Sequence, residues 1–171
     1  QAVGTLTYTV EGTDVNGCKN TDQVSITVNP LPTATITGTM DVCQNGISPT
    51  ITIIGATGTA PYIFTYNVNG GANQTITSNG AGIATITAPT NIVGTFNYNL
   101  VSVQDNSSTT CLNAQTGTAT IIVNPLPTAT MSGTVDVCQN DTEPTITFTG
   151  ATGTAPYTFT YSMNGSVPQT V

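Results

Sequence analysis

The sequence contains no histidine, no arginine and no tryptophan, and its single cationic side chain is Lys19. Histidine is the side chain that most often transfers protons in enzymes, so the usual means of general acid–base catalysis are missing. Nucleic acids are bound through clusters of Lys and Arg, and a chain with a net charge of −7 has no such cluster. We therefore expect no enzyme activity, no catalytic residue and no nucleic-acid partner.

Long apolar runs are also missing, although 37% of the residues are hydrophobic and only 5% are charged. No stretch approaches the roughly 20 apolar residues of a membrane helix, so we expect no membrane insertion. Helix-favouring residues are scarce, whereas 38 threonines are mixed with Val, Ile, Gly and Asn. This composition is typical of β-strands and predicts an all-β protein.

Parts of the sequence recur 95 residues further along the chain. A shorter match, GTLTY at 4–8 with GTFNY at 94–98, has an offset of 90 residues. Such self-similarity indicates tandem repeats, each of which folds as one structural unit. The strings at the longer offset are VNPLPT at 28–33 and 123–128, VCQN at 42–45 and 137–140, and GATGTAPY at 55–62 and 150–157.

The phases of these matches predict three segments. Residues 1–30 are the C-terminal part of a first repeat, residues 31–125 are one complete repeat, and residues 126–171 are the N-terminal part of a third. Because the chain opens on Gln1 in what reads as a loop, we expect it to be a piece of a longer protein.

Each predicted boundary carries the sequence Asn-Pro-Leu-Pro. Proline fixes its own φ angle and keeps the residue before it extended, so we expect short, stiff linkers. A Gly/Ser linker would predict a flexible joint instead. The linker prolines are Pro30, Pro32, Pro125 and Pro127.

A unit of about 95 residues with frequent turn signals predicts tandem immunoglobulin-like (Greek-key) β-sandwich repeats. We expect the first segment to supply strands F and G, and the third segment strands A to C and the start of D. Residues on the core face of a strand alternate with exposed ones, which predicts inward rows such as Phe96, Tyr98 and Leu100. In the complete repeat the predicted strands A to G lie near 34–39, 50–54, 62–68, 74–78, 83–88, 95–103 and 118–123.

The recurring strings PTATITG, VCQN, TGTAPY-x-FTY and VNPLPT resemble the tandem repeats of SprB-type gliding-motility adhesins, giant cell-surface proteins of Bacteroidota. The resemblance covers essentially the whole chain. It implies secretion by the type IX system and an extracellular location, attached to the outer membrane.

Each repeat carries one cysteine after strand A, at Cys43 or Cys138, and one in the F–G loop, at Cys18 or Cys111. A disulfide between Cys43 and Cys111 is the simplest pairing, and it would stabilise the repeat by roughly 4 kcal/mol. In a regular sandwich these two loops lie at opposite ends, roughly 25–30 Å apart, which favours a bridge between neighbouring repeats instead. Free thiols are the third possibility, and all three stay open.

The eight acidic residues are scattered and include no Asp-x-Asp-x-Asp run of the kind that binds calcium. The densest group is Asp136, Asp141 and Glu143, and the complete repeat keeps only Asp41 of the three. The sequence also lacks Cys-x-x-Cys and histidine, so we expect neither a metal site nor a cofactor.

These observations together predict a structural stalk segment of a large secreted adhesin, used in gliding motility and surface attachment. The expected partners are neighbouring repeats of the same chain, and beyond them surface polysaccharide or other cell-surface proteins. The alternative is a carbohydrate-binding immunoglobulin-like module, for which exposed aromatic side chains would be the signature.

Overall fold

A computed structural model of the protein describes residues 2–171. These residues form 15 strands and no helix, which confirms the all-β prediction. No helix in this part of the chain is long and apolar enough to cross a membrane. The strands are β1 Gly4–Thr13, β2 Lys19–Val28, β3 Thr33–Thr37, β4 Met40–Cys43, β5 Thr50–Ala56, β6 Ile63–Val68, β7 Gln74–Thr77, β8 Ile83–Thr87, β9 Gly94–Gln104, β10 Leu112–Ala114, β11 Thr118–Asn124, β12 Thr128–Ser132, β13 Thr147–Ala151, β14 Thr160–Tyr161 and β15 Gln169–Thr170.

The chain divides into two compact units. The first comprises Gln1–Met40, Pro49–Ala88 and Thr95–Ile121. The second comprises Asp41–Ser48, Pro89–Gly94 and Ile122–Val171. The domain boundaries at residues 30 and 125, which rest on the sequence repeat, stay a prediction.

Strands β1 and β2 of the first unit form a regular antiparallel hairpin with one apolar face. Leu6 lies opposite Ile26 and Tyr8 lies opposite Val24, and residues directly opposite each other share a face. These side chains are 41%, 50%, 57% and 60% exposed, in that order. The inward positions predicted for strands F and G of the first repeat are therefore exposed.

Residues between Thr33 and Asn124 form two sheets that bury a common set of apolar side chains. Strands β3, β5 and β8 make a three-stranded sheet, and the larger sheet has the order β4-β11-β9-β6-β7 with β10 beside β9. Both sheets contribute to one hydrophobic cluster, an arrangement consistent with a β-sandwich. The buried members of that cluster are Ala34, Ile53, Tyr62, Phe64, Ala84, Leu100 and Val103.

The predicted strand A is confirmed within two residues at each end, but the chain forms a further, unpredicted strand directly after it. Strand β3 ends at Thr37, and the next strand, β4, joins the other sheet. Gly38 lies between them with φ +118°, and a Cβ atom on it would lie 2.6 Å from the carbonyl oxygen of Thr50. This close approach requires glycine, and it marks where the chain changes sheets.

The remaining predicted strands are confirmed within two residues at each end, with one addition. The addition is strand β10, which the sequence does not predict. It pairs with the last three residues of β9, and Leu112 lies opposite Gln104. Strand β7 occupies the predicted position of strand D, but it pairs with β6. The loop after β9 is thus longer and more structured than the simple turn between β1 and β2.

The C-terminal part of the second unit has the same local strand pairing as residues 33–56. Thr128 pairs with Ala151 as Thr33 pairs with Ala56, with each residue 95 positions further on. Thr160 pairs with Thr170 in β14 and β15. Here the apolar residues lack the burial of their counterparts, since Ile146 is 49% exposed and Ile51 is fully buried.

Candidate functional site

The first Asn-Pro-Leu-Pro segment, the predicted linker at residues 29–32, is held against neighbouring loops by hydroxyl and amide side chains. Thr57 Oγ1 donates a hydrogen bond to the carbonyl oxygen of Leu31 at 3.1 Å. Asn113 Nδ2 donates to the carbonyl oxygen of Pro32 at 2.8 Å. We call these two bonds the linker clamp. Thr57 has φ +46°, which is uncommon for a β-branched residue, and this backbone geometry places its hydroxyl at the linker.

The clamp is extended on both sides of Pro32. Asn29 Nδ2 donates to Thr109 Oγ1 at 2.9 Å, and the backbone N–H of Ala34 donates to Gln115 Oε1 at 3.1 Å. The Pro32 side chain is fully buried. The stiffness predicted from two prolines is therefore reinforced by side chains from three other parts of the first unit.

The second linker contains the equivalent of the first bond of the clamp. Thr152 Oγ1 donates to the carbonyl oxygen of Leu126 at 2.8 Å, and Thr152 has φ +47°. The carbonyl oxygen of Asn124 accepts from the backbone N–H of Gln44 at 2.8 Å. Pro127 is exposed, unlike Pro32, and Pro125 is half-buried.

A buried carboxylate organises the loop after β9. Asp105 is only 3% exposed. Its Oδ1 accepts hydrogen bonds from Ser107 Oγ and from the backbone N–H of Cys111, both at 2.8 Å. Its Oδ2 accepts from the backbone N–H of Thr59 at 3.2 Å. The carboxylate thus joins the loop that follows β9 to the turn that follows β5.

Two opposing effects act on the pKa of Asp105. Burial disfavours the charged form and is the largest single influence, and it raises the pKa. Hydrogen bonds from Ser107, Thr59 and Cys111 stabilise the carboxylate and together hold the pKa below its ordinary value of 3.8. Asp105 is therefore ionised at neutral pH as a structural acceptor.

The turn between β1 and β2 repeats this arrangement in a simpler form. Asp14 Oδ1 accepts from the backbone N–H groups of Cys18 at 2.8 Å and of Asn16 at 2.9 Å. The hydrogen bond from Cys18 is the main cause that lowers the pKa of Asp14. Asp14 and Asp105 both bond the cysteine that follows them, so both acids are turn-forming residues.

All four cysteines have free thiols in the structure. Cys43 ends β4, and Cys111 lies in the Asp105 loop, where Thr109 Oγ1 is 3.2 Å from its sulfur. Cys18 and Cys138 are exposed in turns. The structure brings no two of these sulfurs into a bond, and the pairing of Cys43 with Cys111 stays a prediction.

Two other acidic side chains also have local partners. Asp141 Oδ2 accepts from the backbone N–H of Cys138 at 3.0 Å, and Glu11 pairs with Lys19 at 2.6 Å. Within residues 2–171 no group of three or more His, Cys, Asp and Glu side chains is arranged to hold a metal ion.

The outer face of the three-stranded sheet is rich in threonine. Thr37 lies opposite Thr52, and Thr52 lies opposite Thr85 on the far strand. Thr50 and Thr87 form the next row. This uncharged, hydroxyl-covered surface can donate and accept hydrogen bonds.

Sequence reasoning identified the linker prolines but missed the residues that hold them. For Thr57 the available signal was the recurrence of Thr57-Gly58 as Thr152-Gly153. From the sequence alone, this recurrence indicates only a turn. For Asn113 the available signal was the recurrence of Cys111-Leu112-Asn113 as Cys18-Lys19-Asn20 in the first segment, whereas Gln115 has no such match. A scan of the chain against protein-family models finds no match, and a search of curated proteins finds no similar one.

Proposed function

We propose that this chain is a structural stalk segment of a large secreted cell-surface adhesin, in which tandem immunoglobulin-like repeats carry an adhesive end away from the cell. Gliding motility and surface attachment are the processes it serves. Its partners are the neighbouring repeats, and its location is the cell surface outside the outer membrane. The observation that carries the proposal is the clamped Asn-Pro-Leu-Pro linker.

The strand order supports the immunoglobulin-like part of the proposal. Strands β3, β5 and β8 correspond to A, B and E of such a fold, and β11, β9 and β6 correspond to G, F and C. The connection from β3 to β4 moves the first strand between sheets, and β7 extends the sheet beside β6. A Greek-key sandwich of about 95 residues accounts for this order.

The clamped linker supports a load-bearing role. A stalk transmits force and keeps its length only if adjacent repeats cannot rotate freely about their connections. The fixed φ of Pro32, its burial and the hydrogen bonds to its neighbours each remove rotational freedom. No catalytic chemistry is needed for this role.

The alternative, a carbohydrate-binding module, has less support. Sugar-binding surfaces commonly present aromatic rings, and the five aromatic residues between residues 31 and 125 are buried or half-buried. The threonine-covered face is the remaining candidate surface for a polysaccharide. The aromatic residues concerned are Tyr62, Phe64, Tyr66, Phe96 and Tyr98.

Small-angle X-ray scattering of three whole repeats in tandem tests the stalk proposal. Strand β9 has 11 residues and spans about 36 Å, so three stacked repeats should reach roughly 110 Å. We expect the profile of a rod with a maximum dimension near this length. The matched control replaces Asn-Pro-Leu-Pro at each junction by Gly-Ser-Gly-Ser, and it should give a shorter average dimension and a broad distribution.

A smaller change isolates the clamp from the prolines. Thr57→Ala and its equivalents in the other repeats remove one hydroxyl and leave Pro30 and Pro32 in place. We expect these variants to be less extended than the parent. If the parent and the Gly-Ser control scatter alike, the stalk proposal is wrong.

A further inference from the structure

A cysteine lies close to the asparagine of the first Asn-Pro-Leu-Pro segment. Asn29 Nδ2 donates a hydrogen bond to Thr109 Oγ1 at 2.9 Å. The same hydroxyl is 3.2 Å from the sulfur of Cys111. Cys111 is therefore one side chain away from the asparagine that precedes β3.

A different cysteine lies close to the asparagine of the second segment. The carbonyl oxygen of Asn124 accepts a hydrogen bond from the backbone N–H of Gln44 at 2.8 Å, and Gln44 directly follows Cys43. Gln44 Nε2 also donates to the carbonyl oxygen of Asn91 at 3.2 Å, which holds this turn in place. Cys43 is therefore one residue away from the contact with the asparagine that follows β11.

Asn29 and Asn124 are equivalent positions, since VNPLPT recurs at 28–33 and 123–128. Asn29 shows the contact that a linker asparagine makes with the repeat after it, and Asn124 shows the contact that it makes with the repeat before it. One contact uses the side-chain amide and the other uses the main-chain carbonyl oxygen, so a single asparagine can make both. We call a linker together with the repeat ends on both sides of it a junction.

The two cysteines between residues 31 and 125 lie beside different linkers. Leu112, which follows Cys111, is opposite Gln104, the last residue of β9. Strand β11 then runs beside β9 and ends at Asn124, next to the turn that follows Cys43. A bond between Cys43 and Cys111 would have to span much of β9, whose 11 residues extend about 36 Å. Because a disulfide needs Cα atoms less than about 7 Å apart, this geometry favours a partner at the same linker for each cysteine.

We propose that Cys43 of each repeat forms a disulfide with the counterpart of Cys111 in the repeat that follows it. The bond lies beside the linker asparagine and joins the turn after β4 to the loop after β9. It gives each junction a second covalent connection, so neighbouring repeats cannot rotate freely about the linker. This inference rests on the proposed function, since it needs whole repeats in tandem.

Formation of the bond requires an oxidant, for which a disulfide of low molecular mass such as oxidised glutathione is sufficient. One cysteine thiolate attacks the reagent and forms a mixed disulfide, and the second cysteine thiolate then displaces the remaining half of the reagent. The two cysteines lose two electrons and two protons, and the reagent becomes two thiols. Disulfides persist in oxidising surroundings, and the proposed location at the cell surface is one of these.

Duplication of residues 31–125 within the chain tests the proposal. The protein consists of residues 1–125, a second copy of residues 31–125 and residues 126–171, so every linker keeps its native sequence. It contains the four native cysteines, a second Cys43 and a second Cys111, and both repeats are complete at the junction between the two copies. After equilibration with oxidised and reduced glutathione, alkylation and mass spectrometry should find one disulfide, from Cys43 of the first copy to Cys111 of the second. The other four cysteines should be alkylated.

A matched pair of variants identifies the cysteine that forms the bond. Cys43→Ser in the first copy should abolish the disulfide, whereas Cys43→Ser in the second copy should leave it intact. A disulfide within one copy would overturn the proposal. So would alkylation of every cysteine in a protein that circular dichroism shows to be folded.

The unmodified chain gives an independent test. Its four cysteines belong to four different junctions under this proposal, because Cys18 and Cys138 occupy the positions of Cys111 and Cys43. In the same glutathione buffer, the monomer should therefore keep four thiols that can be alkylated. A disulfide between Cys43 and Cys111 of one molecule would show that the bond forms inside a repeat, and would overturn the proposal.

The linker asparagine should act as a positioning residue for the disulfide. In the duplicated protein, Asn124→Ala in the first copy removes the amide that bonds Thr109 of the second copy. The equilibrium constant for oxidation by glutathione should then fall about 3- to 10-fold, the effect of one net hydrogen bond. Asn124→Ala in the second copy, away from the completed junction, should leave this constant unchanged. Equal effects of the two substitutions would show that the asparagine does not position the cysteines.

Small-angle X-ray scattering of the duplicated protein separates this inference from the proposed function. An extended profile in a protein without the disulfide would overturn the disulfide and leave the stalk proposal in place. A compact profile in a protein with the disulfide would overturn the stalk proposal and leave the disulfide in place.

Discussion

The hairpin at the N-terminus and the pair β9 and β11 share a pattern of apolar residues but differ in burial. Tyr98 and Ile121 are 5% and 0% exposed, whereas their counterparts Tyr8 and Ile26 are 57% and 50% exposed. In both pairs the two strands are hydrogen-bonded neighbours in a sheet. The difference lies in the second sheet, which covers one pair and not the other.

This comparison separates two contributions to stability. Alternation of threonine with apolar residues specifies a two-stranded ladder and its register. Burial against a second sheet supplies the hydrophobic free energy that offsets the loss of chain entropy. A hairpin without that cover is marginally stable in water.

Hydrogen–deuterium exchange should show the largest contrast between the two regions. At a concentration low enough to keep the chain monomeric, we expect amides between residues 31 and 125 to exchange slowly and those at both ends to exchange fast. The ends should exchange orders of magnitude faster, because opening an uncovered ladder costs little free energy. Mass spectrometry after peptic digestion measures this by segment. Equal protection along the whole monomeric chain would contradict the comparison.

A matched pair of substitutions should show the next largest effect. Ile121→Ala removes a fully buried side chain and should lower the free energy of unfolding by about 2–5 kcal/mol. Ile26→Ala makes the same chemical change at the counterpart position and should cost less than about 1 kcal/mol, because that side chain is half exposed. Urea denaturation followed by circular dichroism measures both.

The outcome of this pair also bears on the phase of the repeat. If Ile26→Ala lowers the free energy of unfolding as much as Ile121→Ala does, the apolar face of the hairpin is covered in solution. The first segment would then not be an uncovered part of a repeat. If neither substitution changes the unfolding free energy, the observed unfolding does not report on the complete repeat.

Much of this fold could be predicted from period and alternation. The strands between residues 33 and 124 follow from apolar residues at every second position, and the breaks between strands at residues 29–32 and 125–127 follow from paired prolines. The change of sheet at Gly38 could not be predicted, because it depends on how closely that residue approaches Thr50. The pairing of β7 with β6 likewise depends on tertiary contacts that strand propensity does not encode.

The residues around the linker were less predictable than the linker itself. Thr57 and Asn113 act through the positions of their hydrogen-bonding groups, which follow from backbone geometry and from loops distant in sequence. In the sequence, Asp105 is one of eight scattered acidic residues. Only the fold shows that it is buried and accepts hydrogen bonds from three loop residues. Spacing along the chain carries little information about such a polar network.

The smallest expected effect concerns pH and compares Asp105 with Asp14. The pKa of Asp105 is lower in the folded chain than its ordinary value of 3.8. The carboxylate therefore contributes stability at pH values above about 3.9, and this contribution is lost as the pH falls through the lowered pKa. Asp105→Asn should cost about 1–3 kcal/mol at pH 7, because the amide cannot accept all three hydrogen bonds as an anion does. Below pH 4, the stability of the Asp105→Asn variant should also fall less steeply than that of the unmodified chain.

Asp14→Asn is the matched control, since Asp14 makes the same reciprocal bonds with its cysteine but lies on the uncovered hairpin. We expect it to leave the main unfolding transition unchanged at every pH, because the buried core between residues 34 and 123 determines that transition. The six tyrosines provide the fluorescence signal for denaturation between pH 2 and 7, as the chain has no tryptophan. If the two substitutions had equal effects, stability would not be concentrated in the covered region. If Asp105→Asn left the acid limb unchanged, the buried carboxylate would contribute nothing to it.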